Sequence, residues 1–394
     1  MHKKIIFIFL CLLIGSANLL AQDTVPESET EERPFVEGGA YDKPYLYKLA
    51  SGRAAVGGYA ETHFRYEREN GVTEEITFLP KRFNLFMHAV ISERFRMASE
   101  LEFEEGTEEI KLELAILDFE IHPALTFRGG MILSPLGKFN LAHDSPANLL
   151  TDRPLASTQI IPTTLSEPGM GIFGAFYQTA KSRMTYELYA VNGFNSNIIE
   201  ESKEGTRVAE GRGNIEDNNN IPSFTGRITY SPIPEGEVGF SWHTGQYNKS
   251  KMEGLVVSEK RNLTIVAFDG ELRYGRFEFL GEYAHASIDL PENLLGTIFA
   301  RKQQGFYLQS SFNFMKGFFK LLPESYFVGI ARLGWVDFDS ELEGDTHKRL
   351  TLGLNFRPTA DSAFKLDYQY NWVRDRFNVQ TPSAAILFSV ATYF

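Results

Sequence analysis

Along most of the chain, from about residue 56 to the last residue, hydrophobic and polar side chains alternate with a period of two. Residues 349–357 and 364–372 are the clearest examples. Successive side chains of a β-strand point to opposite faces, so each stretch predicts a strand with one apolar and one polar face. The stretches last about 9 to 13 residues. A tilted strand needs this length to cross a bilayer, whereas strands of globular proteins mostly have about 5 or 6 residues.

Sixteen such segments can be counted, and the connections between them alternate in length. The segments start near residues 55, 81, 93, 110, 124, 170, 182, 223, 236, 262, 276, 303, 325, 348, 362 and 384. Most connections after even-numbered segments are tight, and most of the others are longer, with residues 105–107 as a short exception. Outer-membrane barrels have an even strand number, short periplasmic turns and longer outer loops. The pattern therefore predicts an all-β fold, a transmembrane antiparallel β-barrel of about 16 strands over residues 55–394.

The connection of residues 134–169 is the third outer loop in this arrangement, and it contains five prolines and no sustained periodicity. An irregular insert of this length in a compact domain is uncommon unless it has a function. We expect it to fold inward and to narrow a water-filled pore. The charged or titratable residues predicted at the constriction are Lys138, His143, Asp144, Asp152, Arg153 and Glu167.

Rings of charge in a narrow passage decide which ions pass, so charged residues on inward faces are candidates for the pore wall. By alternation these are Arg82, Arg94, Arg96, Glu100, Glu102, Lys111, Glu113, Arg128, Arg349, Arg357, Lys365 and Asp367. The alternative for each is a residue that only pairs with a neighbour across the strands.

The first 21 residues have the features of a secretory signal peptide, with two lysines, a short apolar run and a small residue before a polar one. The apolar run is too short to span the roughly 30 Å of bilayer hydrocarbon as a helix. Residues 22–54 are polar and are predicted to form a periplasmic extension, with the barrel mouth as the alternative location. Export and the strand pattern together predict the outer membrane of a Gram-negative cell.

The last predicted strand ends on Phe394. A terminal aromatic residue of this kind is typical of outer-membrane proteins, and we predict that it is a signal for the barrel assembly machinery. An ordinary closing strand is the alternative.

Composition excludes several classes of site. Cys11 is the only cysteine and lies in the predicted signal peptide, which leaves no thiol for disulfides, metal sites or nucleophilic catalysis. The net charge of −12 argues against nucleic acid as a partner. Residues 169–174 match G-x-G-x-x-G but open an alternating strand instead of a helix. We predict no catalytic residue, no metal site and no cofactor.

Three segments carry a resemblance to a known family. Residues 130–140 (GMILSPLGKFN), 151–154 (TDRP) and 161–169 (IPTTLSEPG) resemble the phosphate-selective porin O and P family and its outer-membrane porin relatives of unassigned substrate, over roughly residues 118–192. The resemblance implies a sixteen-stranded barrel, often a homotrimer, with an inward third loop and anion selectivity. The loop departs from a basic pattern because two bases face three acids, so phosphate is not the expected permeant.

The function predicted from these features is passive diffusion of small hydrophilic solutes or ions through an outer-membrane porin that is not an enzyme. One alternative is a lipase-like barrel enzyme, which needs a serine and histidine pair facing lipid. The other is a secreted β-sandwich binding protein, which predicts short strands and unsorted loops. The expected partners are outer-membrane lipid and lipopolysaccharide, the assembly machinery and further copies of the chain in a trimer.

Overall fold

The computed structural model describes residues 54–106, 108–201 and 204–394, in which sixteen strands form a closed antiparallel barrel and Lys251–Met252 and Leu255–Val256 form a separate small hairpin. The strands are β1 Ala54–Glu69, β2 Val72–Ser92, β3 Phe95–Glu104, β4 Glu109–His122, β5 Leu125–Leu133, β6 Ser166–Thr179, β7 Ser182–Val191, β8 Ser223–Ile233, β9 Gly236–Gln246, β10 Asn262–Tyr274, β11 Phe277–Ile288, β12 Lys302–Phe314, β13 Tyr326–Asp337, β14 Thr346–Thr359, β15 Ser362–Arg374 and β16 Gln380–Tyr393. They follow in chain order, and β1 pairs with β16 to close the barrel. The predicted fold class is confirmed, and a closed sheet excludes the sandwich alternative. The predicted signal peptide and residues 22–53 lie outside the described residues.

The two faces of the barrel wall differ in polarity. Large apolar side chains at outward positions, such as Phe268, Leu308 and Leu333, are exposed. The inward positions next to them carry mainly polar side chains, such as Asp269 and Gln309, which are buried inside the barrel. An apolar outer band around a polar interior is the arrangement of a barrel that crosses a membrane.

The connections are sorted by length between the two rims. The rim that carries residue 54 and Phe394, here the short-turn rim, has two-residue turns at 93–94, 123–124, 180–181, 234–235, 275–276 and 360–361 and one longer connection at 315–325. The opposite rim, here the long-loop rim, carries the connections 134–165, 192–222, 247–261, 289–301, 338–345 and 375–379. Residues 105–108 are short, as predicted, and residues 70–71 are a second exception.

The second exception corrects the predicted start of β2, which begins at Val72 and not near residue 81. Asn70 and Gly71 form a tight turn, with φ values of 48° and 83°. Asn-Gly is the preferred pair for this kind of two-residue hairpin, because both central residues need positive φ. The hairpin of β1 and β2 therefore extends beyond the neighbouring connection at 105–108.

The helices are short and lie in the connections of the long-loop rim. They are α1 Lys138–Leu141, α2 Leu155–Gln159 and α3 Asn197–Glu200, with 3₁₀ turns at Val208–Gly211 and Glu292–Leu294. In the part of the chain that the structure describes, no helix has the length and apolar character to cross a membrane.

Phe394 closes the barrel at the short-turn rim. Its N–H donates to the carbonyl oxygen of Gly58 at 3.0 Å, and its carbonyl oxygen accepts the Gly58 N–H at 3.2 Å. Its ring stacks on that of Phe83, with centroids 5.6 Å apart. A Cβ atom at Gly58 would lie 2.0 Å from the carbonyl oxygen of Asn84, so this close approach of β1 and β2 requires glycine.

Candidate functional site

The connection of residues 134–165, here loop L3, lies inside the barrel and reaches opposite sides of its wall. The N–H of Gly137 donates to Ser241 Oγ on β9 at 2.8 Å. The N–H of Thr151 donates to Asp367 Oδ2 on β15 at 2.6 Å. The inward third loop predicted from the sequence is therefore confirmed.

Asn140 joins the two ends of L3. Its Nδ2 donates to the carbonyl oxygens of Ser134 at 2.8 Å and Leu165 at 3.1 Å, and its Oδ1 accepts the N–H of Leu165 at 2.8 Å. L3 ends at this point, because residues 166–169 already pair with β5 as the first part of β6. The predicted loop boundary at residue 169 is corrected accordingly.

Two predicted wall residues bind the backbone of L3. Between its helices L3 has no regular structure, so its carbonyl groups need other hydrogen-bond donors. Lys365 Nζ donates to the carbonyl oxygen of Ser145 at 2.7 Å, and Arg357 Nη2 donates to that of Pro146 at 2.8 Å. Lys365 and Arg357 are only 0% and 5% exposed. They lie beneath L3 and do not face an open passage.

Asp152 connects the far side of L3 to β1 and β14. Arg65 Nη2 donates to Asp152 Oδ1 at 2.7 Å and to Oδ2 at 2.9 Å, and Arg349 Nη1 lies 3.6 Å from Oδ2. Burial raises the pKa of the Asp152 carboxyl, but the positive charges of Arg65 and Arg349 outweigh burial, and the pKa lies below its ordinary value. Arg332 adds a hydrogen bond of 2.8 Å to the Asp152 carbonyl oxygen. We call this set of contacts the Asp152 anchor.

One part of the inward wall is apolar, and L3 packs against it. The wall contributes Leu263, Ile265, Ala267, Ala284, Ala286, Ile288 and Val336, here the apolar docking surface. L3 contributes Leu136, Leu155, Ala156, Ile160, Ile161 and Leu165, and the 192–222 connection adds Phe194, Ile198 and Val208. All of these side chains are buried. Burial of this apolar area favours a docked L3.

Alternation alone does not predict the apolar docking surface, because it places polar residues at inward positions throughout. A signal was present in β10, where residues 263–268 are apolar at every position except Thr264. A near-continuous apolar run indicates a strand with two apolar faces. Here one face points out of the barrel and the other meets L3.

Glu282 on β11 joins both helices of L3, and no pattern in the sequence distinguishes it from other acidic residues. Its Oε2 accepts the N–H of Phe139 at 3.1 Å, and its Oε1 accepts the hydroxyl of Ser157 at 2.7 Å. Gly137 precedes α1 with φ at 71°, and a Cβ there would lie 2.7 Å from Glu282 Oε2 and from Ile161 Cδ1. L3 can approach the wall this closely only with glycine at position 137.

Two predicted constriction residues make buried polar contacts with glutamates of the wall. Lys138 Nζ lies 2.7 Å from Glu271 Oε2 and 3.4 Å from Glu237 Oε1. His143 Nε2 contacts Glu113 Oε1. Neither side chain faces open space, so both attach L3 to the wall.

The remaining predicted constriction residues differ in their surroundings. Asp144 accepts a hydrogen bond from the Tyr393 hydroxyl at 3.1 Å. Glu167 belongs to β6, not to the loop, and its Oε1 lies 2.9 Å from His243 Nε2. Arg153 follows the Asp152 anchor and lines a cavity beside L3.

The predicted pore-wall residues lie at inward positions of the strands, except for Arg94. Arg94 is exposed in the turn at 93–94 of the short-turn rim, because β3 starts one residue later than the alternation suggested. Asn84 donates to Glu100 at 2.8 Å. Ion pairs join Arg82 with Glu61 and Glu104, Arg96 with Glu120, Lys111 with Glu104 and Glu109, and Arg128 with Asp118.

A cavity of about 770 Å³ separates L3 from the wall of β2, β3 and β4. The charged wall residues that line it are Arg82, Glu102, Glu104, Glu109, Lys111 and Glu113. L3 lines it with Arg153, Thr158, Thr163 and Thr164, and the 192–222 connection lines it with Arg212. Within the described ranges, no group of three or more His, Cys, Asp or Glu side chains is arranged to hold a metal ion.

Comparison with solved structures shows that the barrel has the fold of outer-membrane porins. The outer membrane channel DcaP of Acinetobacter baumannii has a TM-score of 0.56 and 11% identity, over 86% of this chain and 97% of that chain. The anion-selective porin from Comamonas acidovorans has a TM-score of 0.55 and 10% identity, over 86% and 99%. An uncharacterized protein of Aquifex aeolicus (strain VF5) is 27% identical over 372 residues, 86% of this chain and 80% of that protein. No protein-family model matches the chain.

Proposed function

We propose that the protein is an outer-membrane porin through which small hydrophilic solutes or ions diffuse passively past L3. The observation that carries this proposal is a closed barrel of sixteen strands whose polar interior is crossed by L3 with a charged cavity left beside it. Barrels of about 16 to 18 strands are wide enough to enclose an aqueous channel. The short-turn rim faces the periplasm in this proposal, and the long-loop rim faces outward.

In this proposal L3 sets the narrowest part of the passage. The apolar docking surface and the contacts of Lys138 and Glu282 hold L3 against β9, β10 and β11. Solutes would therefore pass on the opposite side, between Arg153 and the wall of β2, β3 and β4. Lys138, His143 and Asp152 would act mainly by holding L3 in position, whereas Arg153 would act on the permeant directly.

We further propose the setting that the sequence predicts. The chain would be exported by the signal peptide of residues 1–21, inserted by the barrel assembly machinery through a signal that includes Phe394, and embedded among lipid and lipopolysaccharide as a homotrimer. Selectivity between small cations and anions would be weak, because the bases and acids around the cavity are equal in number.

The test is conductance of the purified full-length protein in planar bilayers. We expect discrete conductance steps in KCl and a small reversal potential across a KCl gradient. Arg153→Gln should shift that potential toward cation preference, whereas Arg276→Gln, which alters an exposed turn of the short-turn rim, should not. Absence of steps under conditions in which a reference porin conducts would contradict the proposed function. A shift of equal size in both variants would show that Arg153 does not line the passage.

A further inference from the structure

The charged groups around the cavity beside L3 are divided unequally between its two sides. On the wall, four carboxylates (Glu102, Glu104, Glu109 and Glu113) face two bases (Arg82 and Lys111), which leaves a formal charge of −2. On the opposite side, Arg153 and Arg212 supply a formal charge of +2. The cavity is neutral as a whole, but it has one negative and one positive side.

On the positive side, the guanidinium of Arg153 does not use all of its hydrogen-bond donors. Its Nη1 donates to the carbonyl oxygen of Thr163 at 3.4 Å and to Thr164 Oγ1 at 3.3 Å, both at the long end of the hydrogen-bond range. Its Nε and Nη2 are buried and have no hydrogen-bond partner among the described residues. Burial lowers the pKa of the Arg153 guanidinium even though Glu102 and Glu113 attract it, so an anionic group in the cavity that bonds it directly would stabilise Arg153.

The glutamates on the wall are paired but remain in excess over their bases. Glu104 Oε1 lies 2.9 Å from Arg82 Nη2, and Glu104 Oε2 lies 3.0 Å from Lys111 Nζ. Lys111 also contacts Glu109 at 2.7 Å, so the same two bases serve several carboxylates. A cationic group that enters on this side is therefore attracted by the excess carboxylates, whereas an anion is repelled by them.

We infer that the cavity beside L3 favours small zwitterionic solutes, with the carboxylate toward Arg153 and the ammonium group toward the wall glutamates. This inference rests on the proposed porin function and adds the class of solute. A simple anion is attracted by one side and repelled by the other, and the same holds for a simple cation. An uncharged solute gains from neither side, whereas a zwitterion can be oriented by both.

The experiment measures swelling of proteoliposomes that contain the full-length protein, with protein-free liposomes as the background. The probes are alanine, its uncharged isomer lactamide and sodium lactate at equal osmolarity. For the natural sequence we expect alanine to enter roughly tenfold faster than lactamide, the lower end of the enrichment that charged clefts produce. In Arg153→Gln the ratio of alanine to lactamide should fall toward one, whereas Arg276→Gln should retain it.

Each further result supports or overturns the inference. Equal rates for alanine and lactamide, or a preference that survives in Arg153→Gln, would overturn it. Lactate faster than alanine would identify an anion site instead. If Arg153→Gln does not fold, Arg212→Gln removes a positive charge from the 192–222 connection without altering L3, and it should lower the same ratio. Failure of every solute and of KCl to pass would refute the porin function itself, which separates the two failures.

Discussion

Replacement of Asp152 by Asn removes the charge of the Asp152 anchor while it preserves the size of the side chain. The variant loses the carboxylate that accepts from Arg65 at 2.7 and 2.9 Å and that lies 3.6 Å from Arg349. The Asp152 side chain is 17% exposed, so the contact is neither fully buried nor fully solvated. Asn can still accept one hydrogen bond from Arg65, but it no longer balances the two guanidinium charges.

The expected cost follows from the strength of such contacts. Hydrogen bonds to charged groups stabilise by about 1.5–3 kcal/mol, and exposed ion pairs by about 0–1 kcal/mol. A partly solvated anchor should then contribute about 2 kcal/mol to the docked state of L3. At about 1.4 kcal/mol per factor of ten, its loss raises the population of undocked L3 by roughly 30-fold. The apolar docking surface remains, so we expect brief excursions of L3 and not permanent release.

The assay is single-channel recording in planar bilayers at low and high KCl. In Asp152→Asn we expect more open-channel current noise than in the natural sequence at low salt, and a smaller difference at 1 M, where the Debye length falls to about 3 Å. Glu343→Gln is the matched control, because it removes one exposed acid from the 338–345 connection. Equal noise in Asp152→Asn and in the natural sequence at low salt would contradict the expectation that the Asp152 anchor holds L3 in place.

Three further outcomes are expected. The pKa of Asp152 is lowered, so its anchor contributes above the ordinary carboxyl pKa and is lost as the pH falls through the lowered value; current noise should rise only below about pH 4, and Asp152→Asn should not show this rise. Ile161→Ala removes buried methyl groups at a cost of about 2–5 kcal/mol and should increase the mean conductance, whereas Val256→Ala, in the exposed hairpin of the 247–261 connection, should leave it unchanged. Phe394→Ser loses the ring contact with Phe83 and should slow the appearance of heat-modifiable folded protein in pulse-chase gels; an unchanged rate would argue against an assembly role.

The strands were predictable because their pattern is local. Alternation fixes which face each side chain takes, and the thickness of the bilayer sets a minimum length for every strand. The errors have local causes as well. A start of β2 near residue 81 places Asn70 and Gly71 in a longer connection, although the pair itself indicates a hairpin. Alternation places Arg94 on the wall only because the pattern of β3 continues one residue into the turn.

The contacts of L3 could be anticipated only in part, because they join residues far apart in the chain. Thr151 and Asp367 are separated by 216 positions, and neither local sequence predicts the contact between them. The composition of L3 identified Lys138 and Asp152 as charged residues inside the barrel, but not that each would meet opposite charge on the wall. The role of Glu282 depends on the register of β11 relative to L3, which the sequence does not supply.

The apolar docking surface has a consequence for how the channel responds to changes in external salt concentration. Dissolved ions weaken attraction between opposite charges, yet they leave hydrocarbon contact intact, and sulfate or phosphate even strengthens it. L3 rests on such hydrocarbon along β10 and β11. High salt would therefore weaken the electrostatic interaction of permeants with the glutamates and arginines beside L3, while the position of L3 would not change.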